Sequence, residues 1–462
     1  MRDLTRGSIA GHIAMMALPI VIGMLVQTLY YLVDLYFVSQ LGPVALAGVV
    51  TAGNAMFLVI ALTQTLHVGT MATVSHAVGA KDQEGANRIF NQAVLLASIL
   101  GVVTVVGGYL GMANLYVSAI GADAETIAAG NDYLRWVLPA MAFQFGGAAM
   151  GAALQGTGIV KPTMIVQMLT VFVNTLLTPV LVAGWGPGPA LGVAGAGLAT
   201  TLASALGFAL MAYYFFKFEH YVRFDAKQLP PDFPTLKKML GIGLPAGGEF
   251  ALLFVYIAII FQVVGRFGAT AQAGFGVGSR VMQAVFLPAM AISFALPAVI
   301  GQNYGARNGA RVREAFRTAA WMCAGFMLLL TFFCQWRPDL LVAPFSKDAD
   351  VLQIATGFLT LISWNFVAYG LNSTCGTAFQ GIGNTVPSLF STATRLVTFI
   401  VPVYWLATKP WFKIEHVWYM SVITVAFQAV LSYSLLRWQF NKRLNFPDPP
   451  VEVEPQPEPA PA

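Results

Sequence analysis

Charge is scarce in this chain. Only 10% of its 462 residues are Asp, Glu, Lys or Arg, against about 25% in an ordinary soluble domain. So few ions cannot clothe a water-soluble surface of this size, and a large soluble globule is excluded. Cysteine is scarcer still, and Cys323, Cys334 and Cys375 are the whole complement. They stand in or beside apolar runs without metal-ligand spacing, so small buried side chains are expected rather than a disulfide framework or a metal site. Five histidines, His12, His67, His76, His220 and His416, are scattered along the chain. A membrane-embedded enzyme would need a clustered metal or nucleophile site, so the reading is no enzyme, no cofactor and no metal, with the histidines in packing or interfacial roles.

What is abundant is hydrocarbon, at 57% of residues. Twelve apolar runs lie near 12–40, 45–76, 88–112, 126–153, 159–184, 190–217, 237–265, 272–303, 314–336, 350–380, 385–407 and 415–438. A spanning helix needs about 20 such residues, and the longer runs call for tilt or kinks. Glycine (45) and proline (25) are frequent, which lipid-embedded helices tolerate. Arg2 and Arg6 precede the first run, but it is too long for a signal-peptide core and no small-x-small cleavage site follows, so it is read as a retained helix. The fold class expected is an all-α integral membrane protein of twelve transmembrane helices.

Lysine and arginine set the orientation. Of the 25, 17 fall on segments that share a side with both termini, six fall opposite, and Arg280 and Arg395 lie within runs. That bias places both termini in the cytoplasm. The net charge of +5 is then a topology signal and requires no nucleic-acid partner.

The chain is written twice. "LPIVIGMLVQTLYYLVDLYFVSQLGPVALAG" from Leu18 parallels "LPAGGEFALLFVYIAIIFQVVGRFGATAQAG" from Leu244. At the same offset "VGAKD" from Val78 falls on "YGARN" from Tyr304. At an offset shorter by one, "GAALQGTGIVKP" from Gly151 falls on "GTAFQGIGNTVP" from Gly376. Six helices per half make a parallel repeat about an axis along the membrane normal. The expected organisation is an N-terminal lobe at 1–218, a cytoplasmic linker at 219–234 containing "QLPPDFP", a C-terminal lobe at 235–443, and a tail at 444–462. Two such bundles leave a cleft about which they can rock to give alternating access.

Several stretches carry a family resemblance: "VDLYFVSQLGPVALAG", "GAALQGTGIVKP", "GVAGAGLATTLAS", "GLPAGGEF" and "GQNYGARN". With the twelve runs and the repeat, they resemble the multidrug and toxic compound extrusion (MATE) family over residues 10–440, nearer its DinF-type than its NorM-type branch. The resemblance implies two six-helix lobes related by pseudo-two-fold symmetry. It also implies proton- or sodium-driven export of small organic, often cationic, compounds by a protein in the bacterial inner membrane. Monomeric action is expected.

Of 20 acidic residues, only Asp34 and Glu249 fall well inside the runs. A charge at the bilayer centre costs about 2.5–3.5 kcal/mol on insertion scales, so such a side chain must face protein, water or a partner. Burial disfavours the ionised form of a carboxyl group, which makes each a candidate proton carrier. At the repeat offset Asp34 falls on Ile260 and Glu249 falls on Gly23, so each lobe carries its own acid at a non-equivalent depth. The resemblance implies that Asp34 in "VDLYF" is the N-lobe coupling residue. It also places Asn174 and Thr178 of "NTLLTPV" on the fifth helix beside it, where the DinF-type branch has an asparagine and an aspartate. Thr200 on the sixth helix resembles a further polar member, and a bond back to its own helix is an equal alternative. A threonine cannot supply a second negative charge, so a proton is favoured over sodium as the coupling ion. The aspartate that the NorM-type branch carries on helix ten is missing from "ISWNFVAYGLNSTCG". An ion pair of Glu249 with Arg395 is expected in the C-lobe instead, with Arg280 as the other basic side chain available.

Methionine and aromatic side chains suit varied apolar ligands, and rings attract cations. Tyr30, Tyr31, Met141, Phe275, Met282, Trp364 and Tyr369 are the cleft-wall candidates, with packing between helices as the alternative for each. A lipid-linked saccharide flippase would share the two-lobed plan but wants a cationic cavity for pyrophosphate, for which only Arg280 and Arg395 are at hand. The last stretch, "FPDPPVEVEPQPEPAPA", lacks material for a core and reads as a disordered tail.

Overall fold

Each apolar run forms one helix. A computed structural model of the chain describes residues 1–446 except 113, 115–116, 118–122 and 187. The tail expected at 444–462 therefore lies, from 447 on, outside the described residues. Among the described residues twelve helices are long and apolar enough to cross a membrane. They are α1 Ile9–Ser39, α2 Pro43–Gly79, α3 Gln83–Gly111, α4 Ala124–Gly156, α5 Lys161–Ala183, α6 Val193–Lys217, α7 Phe233–Gly265, α8 Ala269–Gly305, α9 Gly309–Trp336, α10 Ala349–Gly381, α11 Val386–Leu406 and α12 Ile414–Arg443.

The helix starts are set by short polar side chains that accept from otherwise orphaned amides. Ser8 accepts from Gly11 N, Asp82 from Gly85 N, Asp123 from Thr126 N, and Asn308 from Arg311 N. Proline stands in the first turns of α2, α5, α7 and α11, where its missing N–H costs nothing. These polar first turns carry α3 and α9 about a turn beyond the apolar runs that announced them.

The repeat persists into the turns. Lys81 and Arg307 both adopt the left-handed region, at φ 59° and 57°. Each is followed by its capping residue, Asp82 or Asn308.

Helices α1–α6 and α7–α12 form two six-helix lobes. One apolar core runs through α2–α6 and includes Phe90, Phe145 and Phe215. A second runs through α7–α12 and includes Phe275, Phe358 and Trp418. A third core joins the lobes: Leu4, Ile9, Ile13 and Met16 pack against Leu296, Val299 and Phe379. The first residues thus pack on the C-terminal lobe, although the sequence assigned all of 1–218 to the N-terminal one. Leu4 N donates to Gln302 Oε1 at 2.9 Å, Asn303 Nδ2 donates to the Leu4 carbonyl at 3.1 Å, and Arg311 Nη2 donates to the Gly7 carbonyl at 3.0 Å. Beyond Pro19, the C-terminal half of α1 turns to α5, where Gln167 Nε2 donates to Gln27 Oε1 at 2.9 Å. An internal proline removes one helical hydrogen bond and kinks the chain, so α1 is a rod that belongs to both lobes.

On the face where α1 begins and α12 ends, α2 meets α7 and α8 along a seam of small residues. A Cβ on Gly79 would collide with the Gln302 carbonyl, and a Cβ on Gly305 would collide with the His76 carbonyl. Gly79 and Gly305 are repeat counterparts, and so are His76 and Gln302, so the pseudo-two-fold axis passes between the two contacts. Further from that face, the rings of Phe57 and Phe254 touch at 4.0 Å between centroids.

The connection between the lobes is tied down. Asn87 Oδ1 accepts from Arg223 N, Asn91 Oδ1 from Asp225 N, and Gln92 Oε1 from Asp232 N, at 2.7, 2.9 and 2.9 Å. Gln92 Nε2 also donates to the Gln228 and Pro230 carbonyls at 2.7 and 2.8 Å. Three amide side chains of α3 therefore hold the strap.

Candidate functional site

Asp34 lies 8% exposed on the C-terminal half of α1. Its Oδ1 is buried without a hydrogen-bond partner, and so is the Nδ2 of Asn174 on α5. The register explains why these two belong together. Gln27 bonds Gln167 between the same helices. Two turns further along each, on the same face, stand Asp34 and Asn174. An orphan acceptor and an orphan donor are thus placed at one level, unbonded. Buried polar atoms are nearly always paired, and at this junction two of them are not.

The surrounding side chains are hydroxylic. Thr178 Oγ1 donates to the Asn174 carbonyl at 2.9 Å and lies 3.2 Å from Asn174 Oδ1. Thr200 Oγ1 donates to the Ala196 carbonyl at 3.1 Å. Its single proton being used there, the Tyr30 hydroxyl donates to it across 3.1 Å. Tyr31 and Tyr133 lie within electrostatic reach of Asp34. Thr200 therefore makes the bond to its own helix that was weighed for it, and also meets Tyr30 of α1.

In the C-terminal lobe the expected ion pair is absent. The ion pairs among the described residues are Arg88–Glu84 and Arg337–Asp339, both at the surface. Glu249 Oε2 accepts from Ser388 Oγ at 2.8 Å and its Oε1 accepts from Thr392 Oγ1 at 3.2 Å. Gln428 Nε2 donates to Thr392 Oγ1 at 3.2 Å, and Arg395 Nη1 donates to Gln428 Oε1 at 3.5 Å. The guanidinium of Arg395 lies over the Tyr256 ring, 4.2 Å from its centroid. Register gives the reason. Thr385 Oγ1 bonds the Ile242 carbonyl, and two turns on, Glu249 is level with Thr392, leaving Arg395 about one turn further out. Glu249 and Arg395 are joined only through a hydroxyl and an amide.

Between the lobes lies a cleft of about 610 Å³, lined from α1, α2, α4, α5 and α8. Tyr31 and Arg280 reach it, and so do Gln27, Gln155 and Gln283. Arg280 thus has no place in the C-lobe network and stands on the cleft wall instead. The other ring and thioether candidates do not line this cleft. Met141 and Phe275 are buried within the lobe cores, and Met282 and Tyr369 pack against the C-lobe core. Tyr30 turns to Thr200, and Trp364 is exposed on the short turn Ser363–Asn365. Large apolar side chains at helical spacing report burial, not which side of a helix meets the cleft.

The MatE family profile matches residues 19–180 and again residues 245–405. This chain belongs to the MatE family. The two matches fall one in each lobe. Among similar proteins is a "Probable multidrug resistance protein NorM" of Thermotoga maritima, 25% identical over 85% of this chain and 84% of its own length. An "FAD transporter" of Shewanella oneidensis is 24% identical over 84% of this chain and 86% of its own. Among solved structures, an outward-facing multidrug resistance MATE transporter of the MOP superfamily superposes at a TM-score of 0.86, with 26% identity over 95% of this chain and 97% of the other. A Pyrococcus furiosus transporter of that superfamily, for which a reversed binding-pocket polarity is said to suggest a different function, superposes at 0.87, with 26% identity over 96% and 98%. As a MATE protein the chain is a multi-pass membrane transporter, not an enzyme.

Two contacts at the lobe boundary of this MATE protein escaped the sequence. His67 Nε2 bonds Gln155 Oε1 at 3.0 Å at the cleft, and Gln155 Nε2 donates across to the Phe294 carbonyl at 2.7 Å. His76 Nε2 meets the Gly381 carbonyl of the other lobe at 2.7 Å. A signal for His76 existed: the repeat pairs it with Gln302, which bonds Gly156 in the mirrored way.

Proposed function

We propose that this MATE protein is a multidrug exporter that exchanges small organic compounds for protons, Asp34 being the group that takes the proton. The observation that carries the reading is the unpartnered Asp34 Oδ1 set level with the unpartnered Asn174 Nδ2, inside a spanning helix. An ionised carboxylate only accepts hydrogen bonds, whereas a protonated one also donates. Proton uptake therefore changes what Asp34 can bond on α5. The outer half of α1 carries Asp34, the inner half is held by the C-terminal lobe, and Pro19 lies between. Repacking around Asp34 is thus passed to the lobe boundary. Differential affinity for substrate in the two arrangements supplies the coupling.

The face with both termini is cytoplasmic in this reading, as the lysine and arginine excess directs, and the membrane is the bacterial inner membrane. Thr178 leaves Asp34 as the single negative charge of the cluster, which one proton neutralises; sodium is the second choice of ion. A pyrophosphate-linked lipid would call for more than the lone Arg280 on the cleft wall, so a flippase is not favoured. Cargo charge is not fixed by family, since relatives carry names from multidrug resistance to FAD transport.

The test is dye export from proteoliposomes driven separately by imposed proton and sodium gradients. Wild type responds to the proton gradient. Asp34→Asn loses proton-driven export by tenfold or more and keeps dye binding. Undiminished export by Asp34→Asn removes it from the mechanism.

A further inference from the structure

The cleft wall carries a charge that no described residue pairs with. Arg280 sits three turns into α8, about 16 Å along the helix, and its side chain is exposed although it lies well inside a spanning segment. It forms no ion pair and no hydrogen bond among the described residues, and it lines the space between the lobes. Within a bilayer such a residue faces water or a partner rather than lipid. None of the residues lining this cleft is an aspartate or a glutamate. Asp34 is turned into the N-terminal lobe and Glu249 is engaged by Ser388 and Thr392, so neither of these acids is among the lining residues.

Arg280 does not stand alone. Gln283 follows it by three residues on the same face of α8 and also lines the cleft. It too makes no hydrogen bond among the described residues, so a guanidinium fork and a free amide are presented side by side. Opposite them stand the Tyr31 ring and the thioethers of Met24 and Met164. The volume of about 610 Å³ is that of a site for a drug-sized molecule.

We propose that Arg280, with Gln283, forms an oxyanion subsite in the cleft, which takes the carboxylate or phosphate of an otherwise apolar, ring-bearing organic compound. Arginine binds such groups through two parallel N–H bonds, and the apolar wall opposite receives the ring. The inference rests on reading the chain as an exporter and reverses the cationic cargo expected from the family resemblance. The preferred substrate is an organic anion or zwitterion.

The experiment uses the purified full chain in detergent and two dyes that share a xanthene ring but differ in charge, carboxyfluorescein and rhodamine 123. Binding is read by fluorescence anisotropy. The expected result is that Arg280→Gln weakens carboxyfluorescein at least tenfold and changes rhodamine 123 less than twofold, which also shows that the variant is folded. Arg280→Lys falls between, because it keeps the charge and loses the fork, and Gln283→Leu weakens carboxyfluorescein severalfold. Equal carboxyfluorescein affinity in wild type and both Arg280 variants overturns the subsite. Displacement of the dye from wild type by phosphatidylglycerol in the micelle assigns the guanidinium to a lipid headgroup and also overturns it. Charge-selective binding without proton-driven export of either dye would instead refute the exporter reading and leave the subsite standing. Proton-driven rhodamine export with no effect of Arg280 on carboxyfluorescein would do the reverse.

Discussion

The His76 imidazole of α2 holds the Gly381 carbonyl of α10 at 2.7 Å across the lobe boundary, and Gln302 of α8 holds the Gly156 carbonyl of α4 at 2.9 Å. The two donors stand at the repeat offset, and so, short by one, do the two acceptors. One contact has been written into each half of the chain, and the two copies clasp the opposite lobes.

Each of these bonds contributes about 1 kcal/mol net. Removing both, in His76→Ala with Gln302→Ala, shifts the balance towards an arrangement open on this face by about thirtyfold. Spin labels at positions 161 and 386, on that face, read the change as growth of the longer distance. An unchanged distance distribution would deny the pair a holding role.

Thr178→Asp places a second carboxylate one turn beyond Asn174. Two negative charges and an amide oxygen suit a hard cation. Dye export by this variant is expected to gain at least a fivefold response to an imposed sodium gradient, measured beside the wild-type protein in the same proteoliposomes. No gain would mean that the cluster is not the ion site.

Thr392 connects Glu249 to Gln428 and so to Arg395. Thr392→Val severs that chain and costs about 1–2 kcal/mol for the buried groups left unpaired, read as a lower Tm in detergent. A Glu249→Arg, Arg395→Glu exchange does not restore wild-type stability, because the two side chains never meet. Full recovery in the exchange variant would reinstate a direct pair.

The strap between the lobes is held by α3. Gln92→Ala removes its hydrogen bonds to Gln228, Pro230 and Asp232. Amide exchange over residues 219–232 is expected to rise by tenfold or more, with α3 itself unchanged. Exchange at the wild-type rate would show that the strap is fixed by other contacts.

The twelve helices were legible because lipid demands long apolar segments, and the repeat because an offset survives divergence. Asp34, Asn174, Thr178 and Thr200 were placed in one lobe by resemblance, and the register through Gln27 and Gln167 supplies a common level for Asp34 and Asn174. Other assignments needed coordinates. Glu249 and Arg395 are both inside spans, but a difference of one turn separates them, and depth to one turn cannot be read from an apolar run. Met141 and Phe275 have the composition of a cleft wall and the burial of a core. The packing of Leu4 to Met16 on the far lobe was hidden because chain order suggests the near one. His76 was set aside as a packing residue, since its partner is a backbone carbonyl in the other half of the chain.

The seam at Gly79 and Gly305 brings peptide groups together with no side chain between them. Parting the surface at these two glycines uncovers carbonyl oxygens, which water can solvate at once, while Val68 and Ala72 against Ile242 and Ala246 are its apolar part. Close backbone contact of this kind leaves no room for a side chain at either position. A single methyl on either glycine would wedge α2 and α8 apart.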